Sequence, residues 1–388
     1  MANANLTLPQ LVRARIHAAG GRLPWAEVMR LALYEPSLGY YRCGVRRIGR
    51  GGDFFTSVSV GPVFGELLAV FIAQVWRALG EPSDFAIIEQ GAHDGQLACD
   101  MLDALQRRHP DVFRSLRLMI IEPDAPLREA QCKTLNAYAS RVVHSTGWGS
   151  LTDIPEKSVF ICNELPDAMP VHLVQHNADG WSELHVQSDA AAGFAFVPAP
   201  LSSKQLTEEC DRLGDDFPDG QIVEINLDML EWVRQISCSV ALILDYGLPA
   251  KELFFPERIN GTLRRYRGHQ CDDRVLEELG ECDLTAHVNF TRLAQEAEDA
   301  GFAVEKFIEQ GRFLTRLGAH LLSDASCKPD AVWLRQFQTL THPGMMGRAF
   351  HALVLTKNAD RGMTHKEPRD AARQRLGLNQ KNIKCLHE

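Results

Sequence analysis

Two glycines and one acid carry the chemistry that the spacing of this sequence suggests. Gly91 and Gly95 bracket the run Gly91-Ala92-His93-Asp94-Gly95, and Glu122 closes an apolar run downstream. Glycine tolerates backbone angles that other residues avoid, and its missing Cβ lets a ligand lie against the main chain. A helix starting after Gly95 would offer unpaired amides to a polar group. A carboxylate at the end of the neighbouring strand can accept both hydroxyls of a ribose. A dinucleotide fingerprint from Gly91 needs glycine at 93 and glycine or alanine at 96. The chain has His93 and Gln96, which disfavours NAD and FAD. The Gly-Lys-Ser/Thr of a Walker loop is also absent. A glycine loop plus a ribose acid, without a pyrophosphate site, suits S-adenosylmethionine. An ordinary strand-to-helix turn followed by a surface glutamate would give the same spacing.

These residues need a frame to bring them together. Residues 85–88 are apolar and end in Glu89, and Leu97, Met101, Leu102 and Leu105 then recur at helical spacing, which reads as strand, turn and helix. Segments 116–121, 141–145, 158–162 and 240–244 read as further buried strands, and 304–308 and 350–356 as the last two. Helices are expected at 127–137, at 222–236 with Glu224 near its start, and at 290–300. This alternation predicts an α/β fold with a doubly wound sheet that binds ligands at the C-terminal ends of its strands.

Upstream, residues 8–33 read as two amphipathic helices and 62–79 as a third. The glycine- and aromatic-rich stretches 34–41 and 49–57 fit a loop laid over a ligand, or a connector with its aromatics in the core. Short alternating segments between 173 and 197 suggest an inserted β-meander. The connection 248–286 is long enough to be functional. The expected organisation is therefore a helical cap with a cofactor-covering loop at 1–61, and a core at 62–358 with insertions at about 171–220 and 248–287. A charged tail at 359–388 is expected to fray.

The formal charge of −9 over 388 residues argues against general affinity for nucleic acid. Ten cysteines are scattered without a Cys-x-x-Cys pair, so neither a metal site nor a disulfide framework is expected. No apolar stretch is as long as a membrane span and the N-terminus has no apolar signal region, so the expected location is cytoplasmic.

Several ordered blocks together, 34–41, 52–57 with Phe64-Gly65-Glu66, 89–95, 121–123, 163–171, 243–247, 261–269 and 283–290, resemble the MidA-like methyltransferases. That family includes a mitochondrial complex I assembly factor acting on a protein arginine. The resemblance implies a class I methyltransferase, a Rossmann-like doubly wound core with an N-terminal helical cap and inserted β-meander and loop elements. It also implies S-adenosyl-L-methionine as methyl donor, contacted by Tyr41, Asp53, Thr56, Ser57, Gln90, Gly91, His93, Gly95, Glu122 and Asn163. Family members commonly carry Gly-Pro-Gly-Arg-Gly where this chain has Gly91-Ala92-His93-Asp94-Gly95, so His93 replaces the middle glycine. Its ring could meet the methionine moiety, point to solvent or contact the ligand.

The implied acceptor is an arginine of a partner protein. A guanidinium needs carboxylates that match its fork. The catalytic candidates are Glu164 and Asp167, which leave the fourth strand on a loop stiffened by Pro166 and Pro170, together with Glu224 and His269. His269 and His287 are candidate proton acceptors. Plainer roles exist for each: Asn163 and Glu164 as turn caps, Glu224 as a helix-first-turn acid, the histidines as surface groups. Arg264, Arg265 and Arg267 read as a solvated or partner-facing run. A small-molecule methyltransferase and a non-catalytic scaffold that binds S-adenosylmethionine are the alternative functions. The oligomeric state is open, a homodimer included.

Overall fold

The structure, a computed structural model, describes residues 6–42, 56–189, 193–323, 329–357 and 369–378. Its central strands are β1 (Phe85–Gln90), β2 (Leu116–Ile121), β3 (Val142–Ser145), β4 (Ser158–Asn163), β5 (Val240–Leu248), β6 (Phe302–Glu309) and β7 (Phe350–Lys357). They lie in the order β3-β2-β1-β4-β5-β7-β6, and Val288–Asn289 adds a short eighth strand beside the end of β5. Pairs from β3 to β5 are parallel, and β7 runs antiparallel to both β5 and β6.

Successive side chains of a strand point to opposite faces, so a continuous apolar run marks a strand covered on both sides. Phe85 and Ile87 of β1 enter one core with helices Val63–Ala78 and Gln96–Arg108. Ala86 and Ile88 enter the opposite core with helices Leu227–Gln235 and Phe290–Asp299. The C-terminal ends of β1, β2, β4 and β5 therefore open toward one edge of the layered fold, where the site lies.

Two smaller sheets cover that edge. One has five strands: Arg22–Pro24, His172–Asn177, Gly180–Asp189, Gly193–Ala199 and Ile222–Ile225. The other joins Arg264–Arg267 to Gln270–Asp272 and Asp283–Thr285. Helices Leu8–Ala18 and Trp25–Tyr34 pack on both, with Val12, Ile16, Trp25 and Met29 against Leu173, Val186, Leu263 and Leu284.

Three local expectations change. Segment 222–236 is a strand, Ile222–Ile225, followed by a helix from Leu227, because residues 222–225 pair with 172–175. Asn226 marks the boundary, its Oδ1 capping the amide of Met229 at 2.8 Å. The connection 248–286 carries a sheet of its own. Within the tail expected to fray, Arg369–Arg375 is a helix whose Ala372, with the following Leu376, is buried against the core. The Thr291 hydroxyl donates to the carbonyl of Leu376 at 2.8 Å.

Candidate functional site

A cleft of about 1700 Å³ runs along the strand ends. Its first half is built on the turn after β1. Gly91 and Gly95 have φ of +81° and +85°, and His93 has +48°. A non-glycine residue in that left-handed region costs roughly 1 kcal/mol, and the fold holds it there. Gln131, fully buried, donates from Nε2 to the His93 carbonyl at 2.9 Å and to Glu122 Oε2 at 3.4 Å. The glycine turn and the acid after β2 are thus fastened to each other. His93 Nδ1 lies 3.6 Å from Asp94 Oδ1.

Glu122 faces the cleft with Oε1 accepting the amide of Asp124 at 2.8 Å, and burial raises its carboxyl. Asp124 is ion-paired to Arg42. Gln90 Oε1 accepts from the indoles of Trp148 at 3.2 Å and Trp232 at 2.9 Å. Two cleft-lining acceptors, Glu89 Oε2 and Asn163 Oδ1, are buried without a partner. Burial pushes the Glu89 carboxyl up to about 8, the charge of Asp94 adding to it. An unpartnered buried acid asks for a cation. An ammonium beside Glu89 and Asn163, and a ribose diol on Glu122, are groups of S-adenosylmethionine, so these residues fit that donor.

The second half is an acidic, tyrosine-walled pocket. Glu164 leaves β4 at φ +53°, and its Oε1 accepts from the amide of Ser57 at 3.1 Å and from Asn163 Nδ2 at 3.0 Å. Burial pushes its carboxyl up to about 7. Asp167 Oδ1 is buried without a partner, and burial and the charge of Glu164 push that carboxyl up to about 7 as well. Asp283 accepts the hydroxyl of Tyr41 at 2.7 Å. Tyr34 and Tyr41 stack with centroids 5.5 Å apart, and Tyr246 and Tyr266 also line the cleft. Below them, Asp245 takes the amides of Asp167 at 3.1 Å and of Tyr246 at 2.7 Å, fixing the acid and one aromatic wall together. Burial, reinforced by Arg258 and Arg264, brings His287 down to about 4, so its imidazole is neutral.

Of the residues expected from the sequence, Tyr41, Thr56, Gln90, Gly91, His93, Glu122, Asn163, Glu164 and Asp167 line this cleft. Gly95 starts the helix behind the turn, Ser57 reaches Glu164 through its amide, and Asp53 lies outside the described residues. Two catalytic candidates lie elsewhere. Glu224 is on a strand, and its Oε1 is taken by the amides of Thr262 and of Leu263, the latter at 2.9 Å. A Cβ on Gly261 would lie 2.3 Å from that oxygen, so the carboxylate is a buried anchor for the backbone. His269 sits exposed on a hairpin turn at φ +62°, away from the cleft. Glu89, Asp245, Tyr246 and Asp283 also line or support the cleft, though none of them was expected there from the sequence. The signal was an acid ending a buried apolar run, in Glu89 and Asp245.

A family model described as "Putative S-adenosyl-L-methionine-dependent methyltransferase" matches residues 67–308. The chain is 31% identical to the mitochondrial protein arginine methyltransferase NDUFAF7 homolog of Drosophila melanogaster, over 90% of this chain and 84% of that protein. It is 28% identical to the mitochondrial protein arginine methyltransferase NDUFAF7 of Homo sapiens, over 86% and 80%. A crystal structure from Burkholderia thailandensis, of a protein described as a "COG1565 superfamily member and likely methyl transferase" and bound to S-adenosyl-homocysteine, matches with a TM-score of 0.80. That match has 31% identity and covers 92% of each chain. The cytoplasmic location expected from the sequence is overturned by these relatives, which are named as mitochondrial. Among the described residues no helix is long and apolar enough to cross a membrane.

Proposed function

Because the chain belongs to the MidA-like family of S-adenosyl-L-methionine-dependent methyltransferases, we propose that it methylates an arginine side chain of a partner protein. The observation that carries this reading is the pair Glu164 and Asp167. Both face the cleft, and among the described residues neither takes part in an ion pair with lysine or arginine. Two carboxylates beside tyrosine rings suit a planar guanidinium, which pairs with acids through its fork and stacks on aromatic faces.

The donor, when bound, supplies an electrophilic methyl that carries its own leaving group. The protein must orient the acceptor and receive a proton. Glu164, held at Oε1 by Ser57 and Asn163, is the fixed half of the clamp. The guanidinium nitrogen that gains the methyl sheds one proton, and Asp167, with Oδ1 unpartnered and its carboxyl near 7, is the group to take it. Glu89 and Asn163 would hold the charged end of the donor, and Glu122 its ribose.

Calorimetric titration with S-adenosylmethionine and S-adenosylhomocysteine should give dissociation constants on the order of micromolar. Incubation with labelled donor and a mitochondrial extract, followed by mass spectrometry, should then yield methylarginine. No binding by folded protein would remove the donor assignment, and label found only on small molecules would remove the protein acceptor.

A further inference from the structure

Beyond the acidic pocket, the cleft ends among groups that the methyl-transfer reading does not use. Arg264 pairs with Thr285 across the antiparallel strands, and Tyr266 with Asp283. Opposed residues project from one face of a sheet, and Tyr266, Asp283 and Thr285 all line the cleft. Arg264 therefore projects from the same face of the sheet as these three, although neither it nor Arg258 is among the residues that line the cleft. On the other face Arg265 is buried among Asp272, Glu277 and Glu278, and the nearby Arg267 and Arg274 are paired with acids too. Arg264 joins none of these pairs, and its Nη1 donates to the adjacent carbonyl of Leu263 at 2.7 Å.

Arg258 is in the same condition: among the described residues it has no ion pair, and its Nε is buried without a partner. Both guanidinium charges bear on His287, which lines the cleft and keeps Nδ1 buried and unpartnered. Among the described residues neither guanidinium is ion-paired with an acid, so the charge that both place on this imidazole is left without a direct salt-bridge partner. They lie next to a pocket of the opposite sign.

We infer that Arg258, Arg264 and His287 form a second subsite that takes a carboxylate, the aspartate or glutamate side chain of a residue near the methylated arginine in the partner protein. The inference rests on the arginine reading of the main pocket and narrows its substrate class. Adjoining pockets of opposite sign select a segment that carries both charges and disfavour an arginine flanked only by basic or glycine residues.

The test uses synthetic peptides with one central arginine and a single Glu, Gln or Lys at each of the four positions on either side. Methyl transfer from labelled donor and binding in the presence of S-adenosylhomocysteine are both measured, for the wild type and for Arg264→Ala and Arg264→Glu. At the best position the wild type should favour Glu over Gln by about tenfold in KM. Arg264→Ala should lose that preference, and Arg264→Glu should shift it toward Lys, with donor affinity unchanged in both. Equal use of Glu, Gln and Lys peptides by the wild type would overturn the carboxylate subsite and leave arginine methylation standing. No binding or methylation of any peptide would instead strike the arginine reading itself, and the subsite with it.

Discussion

Replacing Glu164 with glutamine should make the ligand-free protein more stable and the enzyme far less active. In the fold, burial raises this carboxyl from 4.5 to about 7. A carboxyl raised in the folded state holds its proton more tightly there than in the unfolded chain. Its share of stability is complete below the unfolded value and declines as pH rises toward 7. Fully ionised, it opposes folding by at most about 3 kcal/mol, at 1.36 kcal/mol per unit. The side chain is partly open to the cleft, and solvent screening reduces this to roughly 1–2 kcal/mol. Both hydrogen bonds to Glu164 end on the single oxygen Oε1, so an amide keeps them and removes only the charge. In thermal unfolding without ligand, Glu164→Gln should melt about 1–2.5 °C above the wild type at pH 8 and level with it at pH 4.5. Methyl transfer should fall about a hundredfold in kcat/KM, as when a charge-assisted bond to the acceptor is lost, with donor affinity within about threefold. A variant equally stable at both pH values, or one that transfers methyl normally, would refute the role of this acid as an uncompensated clamp.

Glu122→Ala should weaken donor binding by about 1–3 kcal/mol through the lost ribose hydrogen bonds, and unchanged affinity in calorimetry would cancel that assignment. His93→Gly should leave donor affinity within about threefold, because the backbone at His93 already has the left-handed angle that glycine favours, φ +48°; a tenfold gain would show that the imidazole obstructs the donor. Glu224→Ala strips the buried amides of Thr262 and Leu263 of their acceptor and should cost about 2–4 kcal/mol in chemical denaturation. Loss of transfer without loss of stability would return Glu224 to catalysis.

The sequence made the layered core legible because its strands are buried on both faces and read as unbroken apolar runs. Glu122, which ends the second run, and Glu164, just after the fourth, line the cleft as expected; Glu89 ends a run in the same way and was not expected there. The failures share a physical cause. The helix expected over 222–236 begins as a strand because residues 172–175 supply its pairing partners, and no local pattern records a partner almost fifty residues away. Glu224 reads like a catalytic acid by type and turns inward only because the amides of Thr262 and Leu263 arrive from another segment. The packed helix Arg369–Arg375 has the same origin. Its charged residues hide Ala372, and Glu298 and Glu305 across the interface neutralise Arg373 and Arg369. Charge is a poor guide to disorder where the opposite charge is supplied by a distant stretch of chain. The same logic, reversed, singles out Arg258 and Arg264, cations for which the described fold supplies no acid, and places their counterpart on another molecule.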